Sequence, residues 1–327
     1  MSVSQPPRLN AERVQSLLQA QLAEGRGGPA EPWRIECVAQ TGSTNADLLE
    51  RLRGAAPELI REGTPILRQA DGQSAGRGRL GRKWHGSAGA SLMFSLASPL
   101  PLPLSALGGL SLACGVAVVD ALRGALETSK NQTLDGRLAL KWPNDVLLDG
   151  LKLAGILIET ALAPQAGPTW VVIGIGLNLH VDDAAQAAVG RPLAGLDRLF
   201  ADGASAPEPE ALLARLAAEL DARLVQFGRE GFAGIAARWN ALDAYAGQPV
   251  RILPGTGGVD EGEALFEGLA EGVDAGGALR LRTAQGMRSI VAGEVSLRPG
   301  GIMRPSNTAI VFRLNGRTRR QPCLANC

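Results

Sequence analysis

Apolar positions along this chain follow two rhythms, and the places where one gives way to the other outline its elements. Val14, Leu17, Leu18 and Leu22 recur three or four residues apart, which predicts a short amphipathic helix over 9–22 with Asn10 able to cap it. A Gly/Pro-rich stretch at 25–32 breaks the pattern. Strands are predicted at 33–38 and 65–69 with a helix at 45–52 between them, then a strand at 91–97. Leu107, Leu110, Cys114, Val118, Ala121 and Leu122 return to helical spacing and predict a helix over 105–126 with one buried face. Strands follow at 138–142, 146–148, 151–158 and 169–179, and Asp149-Gly150 supplies a two-residue hairpin turn. Helices are predicted at 209–227, through Leu212, Leu213, Leu216, Leu220, Leu224 and Phe227, and at 232–245.

Beyond Gly247 the texture changes to short strands at 249–253, 264–269, 278–282 and 287–292, parted by glycine turns. That reads as an all-β barrel of roughly fifty residues. Strands mixed with segregated helices, and few strict βαβ units, predict an α+β domain followed by the barrel. The expected divisions are 1–32 for the first helix and linker, 33–246 for the main domain, 247–299 for the barrel and 300–327 for a poorly ordered tail. A DNA-binding helix-turn-helix needs at least two packed helices, and the space before Trp33 does not hold them.

The 327 residues are 45% apolar and 20% charged, with a net charge of +1. This balance offers no argument for nucleic acid, membrane surface or an acidic partner. No apolar run reaches the ~18 residues of a membrane span, and residues 1–10 lack the order of a secretory signal. Four scattered cysteines, Cys37, Cys114, Cys323 and Cys327, fit a reducing cytoplasm better than a disulfide scaffold. The Cys323/Cys327 spacing is metal-like but has no partner cluster. Cation usage is more informative. Only Lys83, Lys130, Lys141 and Lys152 stand against twenty-nine arginines. A lysine surviving that bias is a candidate for work that needs a compact ammonium.

Three of those lysines lie in motifs. Gly76-Arg77-Gly78-Arg79-Leu80-Gly81 fits the glycine pattern of a dinucleotide fingerprint, but no helix with an apolar face starts there, and no Gly-Lys-Ser/Thr follows. What remains is a loop whose glycines allow close backbone approach, whose cations Arg77, Arg79, Arg82 and Lys83 suit a phosphate, and whose Trp84 offers a flat stacking surface. A solvated basic turn is the plainer alternative. Lys141-Trp142-Pro143-Asn144-Asp145 ends a strand, and the Asp149-Gly150 hairpin returns Lys152 toward Asp145. The pair supplies a carboxylate able to hold Mg²⁺ and an ammonium able to neutralise charge developing on a phosphate. By itself the string equally describes a buried Trp142 anchor with an Asn-Asp turn. Gly155, and the alternating glycines of Gly174-Ile175-Gly176-Leu177-Asn178, leave strand surface bare.

Together these segments closely resemble the bacterial biotin–protein ligases. The matching strings are Gly42-Ser43-Thr44-Asn45, Gln73 through Trp84, Lys141 through Asp145, Lys152 through Glu159, Gly174 through Asn178, Arg238-Trp239-Asn240 and Gly293 through Arg298, in order from about Trp33 to Arg298. The resemblance implies a mixed sheet flanked by helices, class II synthetase-like, and an SH3-like C-terminal barrel. It implies ATP-dependent activation of biotin to biotinyl-5′-AMP, then transfer to a lysine of a biotin carboxyl carrier protein. Ser43, Thr44, Asn45 and Gln73 would bind biotin, Arg77, Gly78 and Arg79 would close over it, and Gly155 would lie against it. Lys152 would contact its carboxylate and the phosphate joined to it, so that Lys152, Arg79 and Asp145 form the catalytic group. Trp84, Arg82, Lys141, Asn144 and Asn178, with Arg79, would hold the nucleotide, and Asp145 the magnesium. A cytoplasmic location, no DNA, no membrane and an open choice of homodimer complete the expectation. Two alternatives stay beside it: a lipoate–protein ligase or related acyltransferase, and a biotin-sensing module without turnover.

Overall fold

The computed structural model describes residues 8–26, 33–54, 63–127, 134, 136–161, 168–190, 192–200, 206–254, 264–291 and 295–299. Lys130, Gly293-Glu294, Cys323, Cys327 and the 300–327 segment lie outside them. Seven strands form one mixed sheet: β1 (Arg34–Thr41), β2 (Ile66–Gln73), β3 (Ser91–Leu100), β4 (Leu138–Lys141), β5 (Asp145–Leu148), β6 (Leu151–Ala161) and β7 (Thr169–Asn178), in the order β1-β2-β3-β7-β6-β5-β4. Only β1 and β2 run parallel; every other neighbouring pair is antiparallel.

Strand residues alternate between faces, and the two faces of this sheet have different fates. Leu92, Phe94 and Leu96 of β3 and Val171, Ile173 and Ile175 of β7 join the main core, with Val14, Leu18 and Leu22 of α1 (Ala11–Arg26), α3 (Leu110–Glu127) and α5 (Pro209–Glu230). The other face carries α2 (Thr44–Gly54), whose Leu48, Leu49 and Leu52 pack on Ile66, Ala97, Trp170 and Val172. That second core is short. Farther along the same face of β7 stand Gly174 and Gly176, where side chains would otherwise continue it. The hollow so left is the floor of the site.

A small helix α4 (Asp183–Val189) and α6 (Ala233–Asn240) are the remaining α-helices of the main part among the described residues. The periodicity predicts helix as far as 245, but α6 ends at Asn240. Residues 242–244 run instead beside the open edge of β4: Leu140 N–H donates to Leu242 O at 2.7 Å and Ala244 N–H to Leu140 O at 2.9 Å. Covering an unpaired strand edge satisfies backbone groups that another helical turn would leave exposed.

Asp243 is carried inward by this arrangement. Burial pushes its carboxyl up from 3.8 to about 6, against the hydrogen bond it accepts from Tyr245 N–H. Between those values the folded chain binds more protons than the unfolded one, so stability falls as pH rises through the window. Asp243→Asn is therefore expected to stabilise the fold above pH 6, by at most about 3 kcal/mol, and to do little at pH 4. Urea unfolding at pH 4 and pH 7.5 checks this; an equal gap at both pH values would acquit the carboxyl.

The C-terminal part is a five-stranded antiparallel sheet: β8 (Pro249–Pro254), β9 (Phe266–Val273), β10 (Leu279–Thr283), β11 (Gly286–Ile290) and β12 (Val295–Pro299), in the order β11-β10-β9-β8-β12. β12 is the strand that periodicity does not predict. Asn240 clamps this sheet to the main part, donating to Val273 O at 3.2 Å and accepting from its N–H at 2.7 Å, while Trp142 Nε1 donates to Gly277 O at 3.3 Å. Gly109 and Gly277 meet so closely that a Cβ on Gly277 would stand 2.6 Å from Gly109 Cα.

Candidate active site

Every expected site residue lines one pocket on the bare half of the α2 face. Ser43, Thr44 and Asn45 enter from the α2 N-terminus and Gln73 from the end of β2. Arg77, Gly78, Arg79, Arg82 and Trp84 come from the loop after it. Lys141, Asn144 and Asp145 come from the β4–β5 turn, and Lys152, Gly155 and Asn178 from β6 and β7.

The loop is a small β-hairpin flap. Gly78 N–H donates to Arg82 O at 2.7 Å and Trp84 N–H to Gly76 O at 2.9 Å, with Arg77 bridged to Lys83. Its tip holds Leu80 and Gly81 at φ 61° and 68°, a left-handed pair that suits Gly81 and strains Leu80. Gly76 has to be glycine, because a Cβ there would lie 2.7 Å from Trp84 O. Trp84 turns down onto the glycine floor: a Cβ on Gly176 would sit 2.2 Å from the indole, and one on Gly155 3.2 Å from it. The indole Nε1 is buried without a hydrogen-bond partner among the described residues, a donor available to a ligand.

At the α2 end, buried polar groups are chained together. Thr44 N–H donates to Gln73 Oε1 at 2.8 Å, and Ser95 Oγ lies 2.7 Å from Thr44 Oγ1 and 2.5 Å from Asn45 Oδ1. Such fixed donors and acceptors suit a ligand that is itself polar at that end and can use the hydrogen-bonding capacity they have left. At the other end, Lys152 Nζ stands 2.6 Å from Asp145 Oδ1, with side-chain exposures of 19% and 14%. The type of hairpin turn explains the meeting: Asp149 and Gly150 both have positive φ, 50° and 78°, the geometry of a tight two-residue connection. Lys152 also lies 5.8 Å from the Trp84 ring centre. Arg79 reaches across from the flap to Asn144 Oδ1 at 3.4 Å. Burial lowers its pKa, Asp145 opposes that shift and Arg82 adds to it.

The structure gives Asn178 a partly structural duty. Its Nδ2 donates to Ala194 O at 3.2 Å and lies 3.5 Å from Lys152 O, and Ala194 N–H donates to Lys152 O at 2.9 Å. This ties the segment after α4 to the strand carrying Lys152, and it brings Val189 and Leu193 to the pocket. Neither was singled out by sequence, since that stretch shows no period. Leu297 and Arg298 of β12 also line the pocket. Their string is one of the matching segments, but only the docking of the second sheet brings them to the site. Among the described residues no three His, Cys, Asp or Glu side chains gather in a metal cluster. Asp145 is the one expected to hold an ion, as one carboxylate working with substrate phosphates.

Comparison with known proteins gives the family of the chain. The family model described as the biotin/lipoate A/B protein ligase family matches residues 58–178, and that for the biotin protein ligase C terminal domain matches 246–298. A biotin–[acetyl-CoA-carboxylase] ligase of Mycobacterium tuberculosis is 38% identical over 82% of this chain and 91% of its own length. The bifunctional ligase/repressor of Escherichia coli is 34% identical over 78% of this chain and 71% of its own. A biotin protein ligase from Aquifex aeolicus, solved with biotin and ATP, is 26% identical with a TM-score of 0.59, covering 82% of this chain and 98% of that one. The chain belongs to the biotin/lipoate A/B protein ligase family, in its biotin–protein ligase branch. It is a ligase, built with the C-terminal domain of that branch.

Proposed function

We propose that the protein joins biotin to ATP, forming biotinyl-5′-AMP, and passes the biotinyl group to a lysine of a biotin carboxyl carrier protein or domain. The observation that carries this reading is the Lys152–Asp145 pair at one end of a glycine-floored pocket, with the Gly76–Trp84 flap folded over it. In the first step a biotin carboxylate oxygen bonds to the α-phosphorus of ATP, the bond to the β-phosphate oxygen breaks, and pyrophosphate leaves. Two anions must approach, and Lys152 offsets that repulsion by a charge already in position, with Arg79 serving retention more than chemistry. Magnesium would supply further neutralisation of the phosphates when bound, and Asp145 would hold it. In the second step the amine of the acceptor lysine bonds to the acyl carbon, AMP departs with the bonding pair, and the amine gives up a proton.

The mixed anhydride is destroyed by water, so a flap over it is a chemical requirement. Polar groups at the α2 end suit the ureido ring, the glycine floor suits the alkyl chain, and the Trp84 indole suits the adenine. Biotin-dependent pyrophosphate release from ATP tests the reading; release driven by lipoate and not by biotin would replace it.

DNA binding is expected to be absent. α1 buries Val14 and Leu18 completely in the main core and so presents no separate reading head. A mobility-shift titration with the organism's biotin-operon promoter at ~150 mM salt checks it, and specific submicromolar binding would contradict it. The reading also places the enzyme in the cytoplasm with its acceptor. Among the described residues, no helix is long and apolar enough to cross a membrane.

A further inference from the structure

One carboxylate beside the pocket belongs to neither chemical step. Glu159 lies on β6, on the same face as Gly155 and Leu157, opposite Val172 of β7. Its Oε2 accepts from two side chains at once: Arg77 Nη2 of the flap at 2.8 Å and Asn45 Nδ2 at 2.9 Å. Asn45 is buried over Gly174, where a Cβ would come within 2.3 Å of its Oδ1. With its amide nitrogen held by Glu159 and Leu157 O and its oxygen beside Ser95 Oγ, Asn45 has one orientation. Exchanging the two ends of its amide would set oxygen against carboxylate. The same oxygen that fixes this amide therefore also holds the root of the flap.

Resting on the ligase reading above, we infer that Glu159 is a positioning residue that couples flap closure to biotin recognition. It sets the amide of Asn45 for the ureido end and ties Arg77 down on the same atom. The Arg77 side of the link is 43% exposed, and an ion pair so open contributes little alone. The Asn45 side is buried, where an unmade hydrogen bond is felt more strongly. Loss of Glu159 is thus expected to weaken biotin binding more than it loosens the flap.

The test uses the full chain and three measurements: biotin affinity by calorimetry without ATP, biotin-dependent pyrophosphate release, and trypsin cleavage after Arg77, Arg79 and Arg82. Glu159→Ala should raise the Kd and KM for biotin about tenfold, leave kcat within about twofold, and speed flap cleavage severalfold. Glu159→Gln keeps an acceptor for Asn45 and should recover most of the affinity, while cleavage stays fast because the neutral amide no longer attracts Arg77. A merely structural role would instead lower Tm and kcat with the Kd unmoved, and that result overturns the inference, as does wild-type behaviour in Glu159→Ala. If the wild-type chain neither binds biotin nor releases pyrophosphate, the ligase reading fails and the biotin half of the inference falls with it. The cleavage rates then still decide whether Glu159 holds the flap.

Discussion

Lys152→Ala is expected to lower the rate of biotin-dependent pyrophosphate release by about 10²–10³, the usual loss when one well-placed electrostatic donor is removed from an acyl or phosphoryl transfer site. Two properties of the site argue for an effect at the upper end. Lys152 and Asp145 are both largely shielded, at 19% and 14% exposure, so their charges are poorly screened by solvent. Removing the ammonium also takes away the cation paired with Asp145 at 2.6 Å, so a fixed ion pair of the site is lost along with the charge offered to the phosphates. Lys130→Ala is the matched control, because it removes the same charge from a stretch outside every motif. Pyrophosphate release by the two variants, with a melting curve for each, decides the matter. Equal loss in both, or in neither, would remove Lys152 from the role.

Arg79→Gly is expected to separate making the adenylate from keeping it. Arg79 is the flap's contact with the β4–β5 turn, through Asn144 Oδ1 at 3.4 Å, and Asn144 is itself held by donating to Ile156 O at 2.9 Å. Replacement by glycine removes the guanidinium that would clasp the biotinyl phosphate with paired hydrogen bonds. It also frees the backbone next to Leu80 and Gly81, where the turn already has left-handed φ. The adenylate should then form at a near-normal rate but escape, and the free mixed anhydride should acylate exposed lysines on bystander proteins. Serum albumin added to the reaction reports this: wild type leaves it clean, and the variant labels it in proportion to adenylate released. Near-normal adenylate formation with unlabelled albumin would refute the latch.

Periodicity alone carried the order of elements, because burial on one face writes itself into sequence with a period of 3.6 or 2. It failed where the reason for a conformation lies elsewhere in the chain. Nothing in 241–245 announces that the helix must stop, since the cause is the open edge of β4 a hundred residues earlier. Periodicity does not predict β12 or the small helix α4, and these two elements with the segment after α4 bring Val189, Leu193, Leu297 and Arg298 to the pocket.

The chemistry divides in the same way. Lys141 through Asp145, the Asp149-Gly150 turn and Lys152 are close in sequence, so a hairpin was enough to predict that Asp145 and Lys152 meet. The glycine–arginine loop could be read as an anion-binding flap because its composition has few other uses. Only the folded chain shows that Trp84 lies on Gly155 and Gly176, that Asn178 anchors the Ala194 segment, and that Glu159 joins Arg77 to Asn45. Those pairs are separated by 71, 92, 16, 82 and 114 positions, differences taken from the residue numbers themselves. Sequence determines which side chains are available and the local periods that bury them. Which of them share one atom is decided by the stacking order of a seven-stranded sheet, and long-range contacts of that kind leave no period in a single chain.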